Sequence, residues 1–131
     1  MDSTKNAGIW MDYSTAHVID ATDFKTEIIA SKFSPDIRKE VVKKGEKHLH
    51  NKEQQLQEAY FKQISDKIMG YDKVLLFGPE NAKTELQHYL SNESRFNHIT
   101  VAVESTDKMT ENEKKAFVRM HFNFRSNGNL A

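Results

Sequence analysis

The chain has no cysteine, two prolines, five glycines and a single tryptophan in 131 residues. Without cysteine there is no disulfide, no thiolate nucleophile and no cysteine-ligated zinc. That absence suits a reducing compartment, and a cytoplasmic location is the expectation. Nor is there an excess of charge of one sign. The 19 Lys and Arg balance the 19 Asp and Glu, so no global field announces a polyanionic partner. No apolar run approaches the ~20 residues that a membrane-spanning helix needs. The opening MDSTKNAGIW lacks a basic segment followed by an apolar one, so no signal peptide is expected.

What is present is an ordinary globular composition, 37% hydrophobic and 29% charged. The length suits one domain with a real core. The neutral total conceals an uneven distribution. Arg38, Lys39, Lys43, Lys44, Lys47 and Lys52 against Glu40 and Glu46 leave residues 38–52 at about +4. Lys5 against Asp2, Asp12, Asp20 and Asp23 leaves the first 24 residues at about −3.

Short apolar runs separated by polar turns predict strands over Ile9 to Asp12, Ala16 to Ala21 and Thr26 to Phe33, joined as an antiparallel meander. A charged loop follows, with room for a helical turn around Ile37 to Val42. Asn51 and Gln54 form a capping-box pattern, which predicts a helix starting at Asn51. Leu56, Tyr60, Ile64 and Ile68 would be its buried stripe, and Gly70 its end. Lys73 to Phe77 reads as a buried strand closed by Gly78-Pro79, with Pro79 as the first residue of the next helix. Ala82, Leu86, Tyr89 and Leu90 would be that helix's inner face. His98 to Val103 is the next strand, and Thr110 with Glu113 caps a last helix through about Phe122. The order is β-β-β-α-β-α-β-α. With right-handed crossovers it predicts an α/β domain of ribonuclease H-like mixed sheet over residues 1–122, followed by a flexible tail, 123–131.

Four places invite a functional reading. The Gly78-Pro79 turn before a helix offers free N–H groups suited to an anion, and Lys83 could add a cation. No glycine run is present to wrap a phosphate, however, and a plain connector is the competing reading. Asp12, Glu80 and Glu104 fall at the carboxyl ends of strands, where open α/β sheets bind ligands. If they converged, with Glu111 or Glu113 as a fourth group, they would hold Mg²⁺ or Mn²⁺ for phosphodiester cleavage. Solvated acids favoured by helix dipoles explain the same residues more simply. His48 and His50 form an H-x-H pair that needs a further ligand to bind zinc; a polar loop packing Leu49 inward is the alternative, so no metal site is assigned. The basic stretch Arg38 to Lys52 could lie along RNA phosphates, with His48, His50 and Tyr60 stacking on bases, or be a solvated loop.

The stretch YDKVLLFGPENAKTELQHYL, followed by HITVAVESTDKMTENEKKAF, resembles the archaeal and eukaryotic class 1 peptide release factor superfamily, which includes bacterial release-factor-like proteins. The resemblance rests on a strand ending in Gly-Pro, a Lys four residues beyond the proline, an aromatic-rich helix, and a second strand with a capped helix. It covers Tyr71 to Phe122; GIWMDYSTAHVID fits less specifically as a first hairpin. It implies a translational-machinery domain of ribonuclease H-like fold that contacts a ribosome or structured RNA. By this resemblance Gly78 and Pro79 shape the turn and Lys83 makes an anionic contact. The Gly-Gly-Gln loop of peptide-releasing factors is absent from the sequence. The expectation is therefore a binding module with no catalytic residues and no cofactor. A metal-dependent nuclease on Asp12, Glu80 and Glu104 is the alternative, and a protein-interaction or homo-oligomerising domain the third reading.

Overall fold

A computed structural model of the chain describes residues 4–31 and 46–127, with the backbone alone at 46–51 and 124–127. Three strands come first: β1 (Asn6–Met11), β2 (Thr15–Asp20) and β3 (Thr26–Ala30). The turns between them are closed by aspartates. Asp12 Oδ1 accepts the N–H groups of Ser14 and Thr15 at 2.7 and 2.8 Å, and Asp20 Oδ1 accepts that of Thr22 at 2.7 Å. A short carboxylate satisfying turn amides favours tight reversal over a continued strand. The result is an antiparallel meander with Ile9 opposite Val18 and Trp10 opposite His17. β3 ends at Ala30; the rest of the strand expected to Phe33 lies largely outside the described residues.

The first helix among the described residues, α1 (Glu46–Ile68), starts earlier than expected, and the helical turn expected around Ile37 to Val42 lies outside the described residues. Asn51 lies inside it, so the capping box with Gln54 does not form there. Between Gly45 and Gly70 there is neither glycine nor proline to stop the helix extending back toward its N-terminus. The expected stripe holds at Tyr60, Ile64 and Ile68, which are buried, while Leu56 is half-buried and Phe61 and Ser65 join the inner face. Then follow β4 (Lys73–Gly78), α2 (Ala82–Ser91), a single 3₁₀ turn (Ser94–Phe96), β5 (Thr100–Ser105) and α3 (Glu111–Asn127). The capping box of α3 forms as expected. Thr110 N–H donates to Glu113 Oε1 at 2.9 Å and Glu113 N–H to Thr110 Oγ1 at 3.2 Å. α3 continues beyond the expected end at Phe122 to Asn127.

The chain is a mixed α/β fold. Among the described residues five strands form one sheet in the order β3-β2-β1-β4-β5, with β4 parallel to both β1 and β5. Strand periodicity sends alternate residues to opposite faces. Ile9, Met11, Val74 and Leu76 pack with Tyr60, Phe61 and Ile64 of α1 and Leu86 and Leu90 of α2. Trp10, Leu75 and Phe77 pack on the other face with Val118 and Phe122 of α3. The sheet is thus covered on both sides, which explains why β1 and β4 are nearly continuous apolar runs. Gly8 lies beneath α3, where a Cβ would run into the Val118 side chain. No helix among the described residues is long and apolar enough to cross a membrane.

Candidate functional site

The parallel strands β1, β4 and β5 end along one edge, and the Gly-Pro turn sits at its centre. Gly78 has φ +142°, and a Cβ there would collide with the carbonyl oxygen of Met11. Its own carbonyl accepts the N–H of Thr106 at 3.0 Å. Pro79 is not the first helical residue. Glu80 takes the left-handed φ of +60°, and Asn81 stands as the cap of α2 without a side-chain hydrogen bond. A left-handed residue cannot be part of a right-handed helix, so the helix begins only where Ala82 turns inward. Lys83 is 3% exposed, and its ammonium donates to the carbonyl of Glu80. The expected anion-contacting cation is thus turned into the protein to hold the turn, and the motif acts as a connector between β4 and α2.

The three strand-end carboxylates do not gather on one point. Asp12 is engaged by the β1–β2 turn, and its carbonyl accepts the Tyr60 hydroxyl at 2.9 Å. Glu104 is exposed at the end of β5. Among the described residues no three His, Asp or Glu side chains are arranged to hold a metal ion. Glu113 is committed to the α3 cap, and Glu111 to the Lys114 ammonium. The residues present therefore do not fit the Mg²⁺ or Mn²⁺ centre that a nuclease on Asp12, Glu80 and Glu104 requires.

Tyr13, on the turn after β1, faces acids instead. Burial, then a hydrogen bond to Glu85 and the charges of Glu85 and Glu80, pushes its hydroxyl up to about 12. Beneath the start of α3 lies a second polar group, whose members are far apart in sequence. Lys114, 5% exposed, sits 4.0 Å from the Trp10 ring centroid and 3.0 Å from Glu111 Oε1. His17 Nδ1 lies 3.3 Å from Glu111 Oε2, without hydrogen-bond alignment. The Lys114 hydrogen bond holds the Glu111 carboxyl below its ordinary range, against the effect of burial and aided by the charges of His17 and Lys114. Each partner in this cluster compensates another, which makes it a means of docking α3 on the sheet.

Of the basic stretch, Arg38, Lys39, Lys43 and Lys44 lie outside the described residues. Lys47, His48 and His50 belong to the first turns of α1 rather than to a loop, and Lys52 follows them on the helix. Tyr60 cannot stack on a base: it is 2% exposed, and burial followed by the charge of Asp12 raises its hydroxyl well above the ordinary range. Sequence patterns also missed an open groove of about 650 Å³ between α1 and α2, because its residues are brought together from two helices.

No family model matches the chain, and no curated protein matches it in sequence. A likeness to a solved structure does exist. The chain is similar to the crystal structure of the Thermoplasma acidophilum Pelota protein, with a TM-score of 0.53 and 14% sequence identity. The likeness covers 92% of this chain and 34% of that one. The chain thus spans about a third of the length of Pelota and shares its fold over that part.

Proposed function

We propose that this chain is a cytoplasmic, translation-associated binding module of ribonuclease H-like fold, related to release factors but without their peptide-hydrolysing loop. The observation that carries the reading is the fold shared with Pelota, a release-factor-like, translation-related protein, over nearly the whole chain. The strand order, with an antiparallel meander joined to two parallel strands, supports the ribonuclease H-like assignment. The resemblance of Tyr71 to Phe122 to the same superfamily supports it from the sequence side.

In this reading the module contacts ribosomal or other structured RNA through the basic run Arg38, Lys39, Lys43, Lys44, Lys47 and Lys52. Lys83 is no longer part of the contact, because its ammonium is engaged inside the Gly-Pro turn. Phosphate contacts made by lysines release counterions, so affinity should fall as salt rises. Reversing both Lys43 and Lys44 to Glu should weaken binding to purified ribosomal RNA roughly tenfold or more at ~0.1 M salt and flatten the salt dependence. Affinity that is insensitive to both salt and the double reversal would remove the basic run from the interface.

A further inference from the structure

We infer that a second copy of this chain docks edge to edge on β5, so that two sheets join through antiparallel β5 strands. β5 is one edge of the sheet among the described residues. It pairs with β4 in unbroken register from Thr100 to Ser105, so no bulge twists it away. Its sequence TVAVES has neither lysine nor proline, the residues that commonly blunt an edge. The opposite edge, β3, carries an ion pair along it, Glu27 with Lys67 of α1 at 2.8 Å. The N–H of Thr100 points inward, to the Asp72 carbonyl at 2.8 Å. By strand alternation the backbone groups of Val101 and Val103 point outward. Their side chains are half-buried, one strand out from the buried Val74 and Leu76. The core thus runs to this edge and is unfinished there.

Self-complementarity selects a second copy as the occupant. Val101-Ala102-Val103 reads the same in both directions, as the centre of a two-fold interface requires. With the axis at Ala102, Val101 of one copy faces Val103 of the other and exchanges a pair of backbone hydrogen bonds with it, and symmetry repeats the exchange. The valines then complete each other's burial on the α1 and α2 side of the sheet. The charges agree with this register. Lys73 and Thr100, both exposed, are partners across β4 and β5. In the joined sheet Thr100 faces the exposed Glu104 of the second copy, so the row across the junction runs Lys73, Thr100, Glu104. Lys73 and that Glu104 are two strand spacings apart, about 10 Å between backbones, which the two side chains span. A register with Val103 on the axis would set the two Glu104 carboxylates diagonally across from each other instead. An unrelated strand can fill the backbone groups but has no reason to carry the matching valines and charges. The contact uses none of the basic run Arg38 to Lys52, so its test is independent of the RNA reading.

The test is sedimentation equilibrium of the full chain across a concentration series, with amide hydrogen exchange at its two ends. A single strand pair is a small interface, so half-dimerisation is expected at about 100 µM. Well above that concentration the Val101 and Val103 amides should exchange about tenfold more slowly than in the monomer. Glu104→Lys and Lys73→Glu should each weaken dimerisation about fivefold, and the two together should restore it. Both positions are exposed, so these variants read the contact without disturbing the core. Val103→Pro removes an outward N–H and no bond to β4, and should leave monomer at every concentration. A dimer whose β5 amides exchange as fast as in the monomer, or a charge swap that restores nothing, would overturn the proposal. Monomer at every concentration would also overturn it, and would leave the edge to a strand of another protein.

Discussion

At the scale of single residues, Gly78 answers whether the Gly-Pro turn is a site or a joint. Its φ of +142° and its closeness to the Met11 carbonyl leave no room for a side chain, so β4 can lie against β1 only with glycine there. Gly78→Ala should destabilise the fold by about 2–4 kcal/mol, combining left-handed strain with backbone overpacking. A thermal midpoint lowered by roughly 10 °C or more would report it. An unchanged midpoint would mean that the turn can relax, and the joint would lose its structural necessity. The burial of Lys83 belongs to the same device. Sequence identified the position but gave it the wrong task, because a lysine on an otherwise apolar stripe carries no mark of whether it points outward or folds back onto a carbonyl.

At the scale of elements, the aligned signals were the legible ones. Short apolar runs between polar turns marked β1, β2 and β4 to within a few residues, and the reciprocal Thr110–Glu113 box marked the start of α3. Boundaries failed where two local signals competed. The Asn51 capping pattern was overridden by a helix with nothing to interrupt it back to Glu46, and Pro79 was displaced by the left-handed Glu80. Contacts between elements were not legible at all. The Tyr71 hydroxyl, on the link from α1 to β4, donates to Asp20 Oδ2 at the end of β2, 2.7 Å away. At Asp20, burial opposes ionisation, but the hydrogen bonds from Tyr71 and from the N–H groups of Thr22 and Asp23 outweigh it and lower the carboxyl. A depressed carboxyl stabilises the fold above its unfolded value of about 3.9, and the benefit is lost as pH falls through the lower folded value. Tyr71→Phe should therefore cost about 1–2 kcal/mol at neutral pH, with the deficit shrinking below about pH 4. Urea midpoints of both proteins at pH 7 and pH 3 would show it; a deficit of the same size at both pH values would exclude the charge-assisted bond.

At the scale of the whole molecule, the balanced charge hides an uneven distribution along the chain. A basic run precedes and enters α1, and an acidic, aromatic-floored groove lies further along the same helix. The first was readable because its lysines are neighbours in sequence. The groove was not, because Glu53, Glu58 and Glu85 become neighbours only when α1 packs beside α2. The candidate nuclease centre failed for the converse reason: strand ends that share one edge do not by themselves aim their carboxylates at one point. What stands is a five-stranded sheet covered on both faces, in a chain that shares its fold with about a third of Pelota. The most direct test of a translation role is sedimentation of the full chain with ribosomes from its own cells, at low and at high salt. Co-migration at low salt that is lost at high salt is the expected result. Folded protein that stays in the supernatant at both salt concentrations would contradict it.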